Sequence, residues 1–184
     1  MLENEQKLVS RAKQGEAASF GVLYDYYASQ LYRFIYLKVS EKSQAQDILH
    51  EVFLSAWKNI KIYQDQGLPF SSWLYQIARN RIIDFYRSRK NNLSLDEVAT
   101  AETKLGLVTA PEIFIVEQRL ALTQIRKALR QLSEEQQNII ILRFINDLAP
   151  VEIAAALGKS EGAVRLLQHR ALQKLRKILN NHET

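Results

Sequence analysis

The sequence predicts an all-α protein of two small helical domains joined by a flexible linker. Three observations carry that expectation. Apolar residues recur at helical spacing through most of the chain, and no stretch alternates as a half-buried strand would. Glycine and proline are scarce, six and three among 184 residues, so long helices go uninterrupted. A polar, acidic, weakly periodic stretch, NNLSLDEVATAETKLGLVTAPE, separates two periodic blocks. These divide the chain into a first domain at 1–90, a linker at 91–112 and a second domain at 113–184.

In the first block a short helix runs from Leu8 to about Lys13. A long helix follows from Ser19 to Val39, with Leu23, Tyr27, Leu31 and Phe34 at spacings of three and four. A third runs from Ser43 to Ile60 on Ile48, Val52, Phe53 and Ala56. After the loop KIYQDQGLPF, a fourth spans Ser71 to Arg89. Four helices with short connections suit a small bundle. In the second block Ile113 to Leu132 is amphipathic. Ser133 with Gln136 three residues on forms a capping box and opens a helix to about Phe144. Pro150 suits the first position of the next helix, where its missing amide costs nothing. That helix, PVEIAAAL, ends at Gly158, and Ser160 caps the last one.

From about Ala149 to Leu179 the pattern is a helix-turn-helix. Ala154, Ala155, Ala156 and Ala163 are small enough for a close, steep crossing of its two helices. Val164, Leu167, Ala171 and Leu175 form the inward stripe of the second. The other side carries Ser160, Glu161, Arg165, Gln168, His169 and Arg170. The first half of such a helix enters a major groove. There Arg165 can pair with guanine and Gln168 with adenine, and Glu161 can accept from cytosine. Lys174, Arg176 and Lys177 further along suit phosphate.

Charge supports nucleic acid as a partner. The net charge is +5, and it is unevenly spread. Arg79 to Lys90 carries five cations against Asp84, and Ser160 to Leu179 five against Glu161. Asn91 to Glu112 holds four acids against Lys104. In the first block, Arg79, Asn80, Asp84 and Arg87 make a polar strip, preceded by Tyr63, Phe70, Trp73 and Tyr75. Aromatics beside a basic strip suit unpaired DNA, whose bases stack on them. Asp47, His50, Glu51 and Leu54 share another helix face, of mixed apolar and acidic character, which suits a docking protein. On periodicity alone such a face is more often simply solvated.

Other classes find little support. No cysteine occurs, which excludes disulfides and thiolate metal sites and fits a reducing, cytoplasmic setting. The longest aliphatic run, Ile139 to Leu142, is too short for membrane insertion. The N-terminus is too polar for a secretory signal. With no phosphate-binding glycine loop, no metal-ligand cluster among His50, His169 and His182, and no cysteine nucleophile, the sequence predicts no enzyme, no cofactor and no metal. The alternative function is a stand-alone helix-turn-helix regulator with residues 1–90 as a sensing or dimerisation domain.

With these residues assembled, nearly the whole chain resembles the extracytoplasmic-function (ECF) type of the bacterial sigma-70 family of transcription initiation factors. AQDILHEVFLSAWKNI is similar to the family's core-polymerase-binding helix. FSSWLYQIARNRIIDFYRSRK is similar to its promoter-melting and minus-ten-reading helix, and the segment from LRQLSEEQQ to LRKIL to its minus-thirty-five domain. The resemblance implies core RNA polymerase, promoter DNA and an anti-sigma factor as partners. It carries polymerase binding to Asp47, His50, Glu51, Phe53 and Leu54, with His50 standing where the family usually has glutamine. It assigns the minus-ten element to Arg79, Asn80, Asp84 and Arg87, and the pocket for a flipped-out promoter base to the loop from Lys61 to Leu68. Base and phosphate contacts of the minus-thirty-five element fall on Arg165, Gln168 and His169, and Ala163 replaces a common threonine. The two promoter-binding ends are expected to be held at a distance from each other.

Overall fold

The computed structural model describes residues 2–65, 67–92 and 125–180, and every regular element among them is helical. The linker from residue 93 onward and the predicted start of the following helix at Ile113 lie outside the described residues, as does His182.

The first block is α1 (Glu5–Lys13), α2 (Ala17–Val39), α3 (Lys42–Asn59) and α4 (Phe70–Asn92), with a 3₁₀ turn at Ile60–Ile62 after α3. α1 begins three residues before the expected start. Leu23, Tyr27, Leu31 and Phe34 of α2 are buried against Ile48, Val52 and Phe53 of α3 and against Phe70, Leu74, Ala78 and Ile82 of α4. Each helix thus buries one stripe at spacings of three and four, and each fully buried aliphatic side chain contributes about 1.5–3 kcal/mol.

The second block is α5 (described over 125–130), α6 (Glu134–Ile140), α7 (Pro150–Leu157) and α8 (Glu161–Asn180). The Ser133–Gln136 capping box is formed, with both hydrogen bonds present at 3.3 and 3.1 Å. Pro150 opens α7, and Glu152 accepts from the Ala149 N–H at 2.6 Å. Gly158 closes α7 in the left-handed region at φ 62°, where only glycine sits without steric cost. α6 does not continue to Phe144 as an α-helix. Ile141–Ile145 forms a single π-helical turn, with the Asn146 N–H donating to the Ile141 carbonyl at 3.0 Å. Ile139, Ile140, Ile141 and Leu142 are all buried. Four consecutive buried positions need partners on more than one side, and this segment lies between α2 and the helices α7 and α8.

The two ends are not held apart. The second block is seated on the first, and one apolar cluster runs through both. α7 packs on α4 as well as on α8. Its alanines serve both contacts, and only the one within the helix-turn-helix was expected. Around this apolar contact lies a set of polar links. Asn146 Nδ2 donates to Tyr75 Oη at 2.5 Å and to the Gln30 carbonyl at 2.7 Å. Gln76 Nε2 donates to the Ala155 carbonyl at 2.8 Å, and Ser72 Oγ to the Glu152 carbonyl at 3.3 Å. Lys38 Nζ donates to Gln137 Oε1 at 3.1 Å.

Candidate nucleic-acid and polymerase surfaces

Three surfaces carry the candidate residues. On α3, Asp47, His50, Glu51 and Leu54 are exposed on one face, with Leu54 46% accessible. Glu51 reaches Arg81 of α4 at 3.9 Å. Phe53 departs from the expectation. It is buried, with its ring 4.5 Å from Tyr24 and 6.3 Å from Phe20. Position 53 belongs to the inner stripe with 45, 48, 52 and 56, so Phe53 fixes α3 on α2 and offers no surface. Beside the exposed face, Tyr24, Tyr32, Leu49 and His50 line an open groove between α2 and α3.

On α4, two of the expected aromatics are likewise core. Phe70 and Tyr75 are each 1% accessible, Phe70 because it begins the inward stripe and Tyr75 because its ring packs 5.4 Å from Phe34 of α2 while its hydroxyl meets Asn146 of the second block. Tyr63 and Trp73 are half-buried, with ring centroids 4.9 Å apart, and both lean on Phe70 at 5.3 Å. Burial pushes the Tyr63 hydroxyl up to about 12, so it is a neutral hydrogen-bonding group at physiological pH. These rings flank a cleft of about 440 Å³ lined also by Ser55, Asn59, Gln64 and Gln76, with Ala155 of α7 in its wall. Beyond the cleft, Asn80, Asp84 and Arg87 are exposed and Arg79 is half-buried. Asp84 and Arg87 lie 3.9 Å apart. The strip is therefore a solvated basic ledge continuing from an aromatic-floored cleft.

On α8, Val164 and Ala171 are fully buried, as the inward stripe requires. Glu161, Arg165, His169 and Arg170 are exposed and Gln168 is half-buried. Glu161 lies 3.5 Å from Arg165 one turn on, and His169 is 3.0 Å from Gln173. Ser160 Oγ accepts from the Ala163 N–H at 3.2 Å. Its hydroxyl is thus engaged as the helix cap, worth about 1 kcal/mol. Lys159, in the turn, pairs with Glu135 at 2.6 Å, tying the helix-turn-helix to α6.

Sequence reasoning missed Ser72, Gln76 and Asn146, which bind the two blocks, and Glu5, which lies buried at the start of α4. Local periodicity holds no signal for such long-range pairs.

Two family models match the chain: Sigma-70 region 2 over residues 23–92 and Sigma-70 region 4 over residues 128–177. The ECF RNA polymerase sigma factor SigW of Bacillus subtilis is 32% identical over 183 residues, covering 96% of this chain and 97% of the relative. The ECF RNA polymerase sigma factor BldN of Streptomyces coelicolor is 39% identical over 175 residues, and the match spans 94% of this chain but 65% of that relative. Among solved structures, CnrH in complex with the cytosolic domain of CnrY superposes with a TM-score of 0.75 at 24% identity, covering 96% of this chain and 97% of that one. The ordered pair of regions, the full-length match and the shared fold agree: the chain belongs to the sigma-70 family, among its ECF RNA polymerase sigma factors.

Proposed function

We infer that this protein binds core RNA polymerase and directs it to specific promoters, with no catalysis of its own. The observation that carries the reading is the pairing, in one ECF sigma chain, of an aromatic-floored cleft and an adjoining basic ledge on α4 with an exposed polar and basic face on α8. The polymerase-docking face is Asp47, His50, Glu51 and Leu54, with Phe53 holding it in place from behind. Melted promoter bases are taken up by Tyr63 and Trp73, since stacking on aromatics is worth about 1–3 kcal/mol per base and tolerates any sequence. Arg79, Asn80 and Arg87 follow the minus-ten strand. Phe70 and Tyr75 act through packing.

At the other end, α8 lies in the major groove of the minus-thirty-five element. Arg165, steadied by Glu161, gives paired hydrogen bonds to a guanine, and Gln168 and His169 reach neighbouring edges. Arg170, Lys174, Arg176 and Lys177 neutralise phosphate and make binding salt-dependent. The protein works in the cytoplasm beside the polymerase, and an anti-sigma factor masks these surfaces until a signal arrives. No described helix is long and apolar enough to cross a membrane. Run-off transcription with purified core enzyme tests the reading. Promoter-dependent transcripts that require the protein are expected. The absence of stimulation on every candidate promoter, together with the absence of binding to core, would overturn it.

A further inference from the structure

The helix α1 lies outside both matched ranges, 23–92 and 128–177, and the proposed function gives it no task. It nevertheless makes three long-range polar contacts through two of its residues. Glu5 is a carboxylate only 7% accessible. One of its oxygens accepts from the Tyr27 hydroxyl, and the other from the Phe70 N–H at 3.0 Å. Two turns on, Lys13 Nζ donates to the Tyr63 carbonyl at 2.7 Å. Val9 and Ala12, between them, are buried, so α1 is pressed flat on the bundle and both ends of this span are fixed.

The Lys13–Tyr63 and Glu5–Phe70 contacts fall on either end of one loop. Tyr63 is its first residue, and Phe70, directly after it, is the first residue of α4. An N-terminal helical amide has no partner within its own helix. Pro69, at the N-cap, has no side-chain acceptor to offer any amide of the first turn. Glu5 supplies the acceptor from 65 positions away, and a negative charge there also suits the helix dipole. The interval from Glu5 to Lys13 along α1 is about 12 Å at 1.5 Å per residue. The loop is thus clasped at both ends by a rigid rod. Its interior is held more lightly, by Asp65 Oδ1 accepting from the Gly67 N–H at 2.8 Å.

We propose that α1 is a brace for promoter-base selection, with Glu5 and Lys13 as positioning residues that fix the span of the Tyr63–Pro69 loop and the pose of Tyr63 against Trp73. Neither residue touches DNA. Both act on the cleft by setting how far its rim stands from its aromatic floor. The inference rests on the reading of that loop as the receptor of a flipped-out promoter base.

The test uses holoenzyme reconstituted from core polymerase and the full chain. Competition binding is measured on fork-junction promoter DNA carrying each of the four bases at the unpaired upstream position of the minus-ten element. Holoenzyme concentration and free-chain melting temperature are determined for each variant. Lys13→Met is expected to compress the ratio between best and worst base at least threefold at equal holoenzyme occupancy. Glu5→Ala is expected to compress it further, and Glu5→Gln, which keeps an acceptor for Phe70, to restore part of it. Gln64→Ala, inside the loop, serves as the control for the loop itself. If Gln64→Ala moves the ratio while Lys13→Met and Glu5→Gln leave it at the wild-type value, the brace is overturned and the loop reading stands. If the wild type does not discriminate at that position, both fall. Should Glu5→Ala not fold, Lys13→Met decides alone. A loss that merely tracks holoenzyme occupancy also overturns the brace, because it marks a structural role only.

Discussion

On the proposed reading, Arg165 is the residue on which promoter discrimination turns most directly. Its guanidinium is exposed, and Glu161 one turn earlier holds it at 3.5 Å. Arg165→Ala is expected to cost about 1–3 kcal/mol of preference for the favoured minus-thirty-five sequence over a single-base variant, measured by holoenzyme competition binding. Arg165→Lys should keep the salt dependence yet lose most of the discrimination, because an ammonium cannot make the paired contact. Gly158 is a stability counterpart. Nothing lies within 4 Å of a Cβ added there, so only its φ of +62° opposes a side chain. Gly158→Ala should therefore destabilise by about 1–2 kcal/mol in urea unfolding; an unchanged midpoint would contradict that origin. The glycine turn and both serine caps were legible in the sequence because each depends on its near neighbours. Phe53, Phe70 and Tyr75 were not, since a core aromatic and a contact aromatic look alike until the buried face is known. The inner stripe of α4 runs through 70, 74, 75, 78 and 82, with the Tyr75 ring against Phe34 of α2 and its hydroxyl meeting Asn146 of the other block.

Helices that bury a second face escape periodicity in the same way, and α2 shows the energetic side of it. Its Lys38 is half-buried at the junction with α6, with Nζ on Gln137. Burial holds its ammonium down to about 8, Glu134 opposes that shift and Arg79 adds to it. The same cleft carries Tyr86, Arg89 and Arg130. A lysine lowered from its usual 10.5 is protonated in both states below about pH 8, where the burial penalty applies in full. Between about 8 and 10.5 the unfolded chain binds more protons, so this group makes stability rise with pH across that window. Lys38→Met is expected to raise the melting temperature at pH 7 and to flatten the rise measured between pH 7 and 9.5. An identical pH slope in the variant would exclude Lys38 as its source. The helices themselves were mostly readable from their single apolar stripes. The π turn was not, for Ile139 to Leu142 offers no stripe at all, only a run buried on several sides.

At the scale of the molecule, the seated arrangement and the job proposed for it conflict in size. A compact chain of 184 residues has a radius of gyration of about 16 Å. Promoter elements about 25 base pairs apart lie about 85 Å apart along straight duplex at 3.4 Å per pair. The blocks must separate before both elements are engaged, and opening also frees the cleft beside Trp73 from its α7 wall. Asn146 is the polar centre of the seam. Replacing it by alanine leaves Tyr75 and the Gln30 carbonyl without their donor, which costs about 1–3 kcal/mol where they stay buried. Asn146→Ala should shift the free chain toward the open form, seen as a larger radius in solution scattering. An unchanged radius would mean that the apolar contact and the remaining polar links hold the blocks without Asn146. The acidic linker made separate domains legible in the sequence, but the seam is built of lone residues distant in sequence and left no pattern there. The π turn just before Asn146 has an evolutionary corollary. Such a turn accommodates one residue more than the α-helix around it, and each residue of an α-helix advances the chain by about 100°. Deleting one residue between Ile141 and Ile145 would restore ordinary pitch and leave Asn146 near its present bearing, because the turn itself absorbs the extra residue; the same deletion in the α-helical part of α6 would swing Asn146 away from Tyr75 by about 100°. Point substitutions grade the strength of closure; a single-codon change in length outside the turn would abolish it at a stroke.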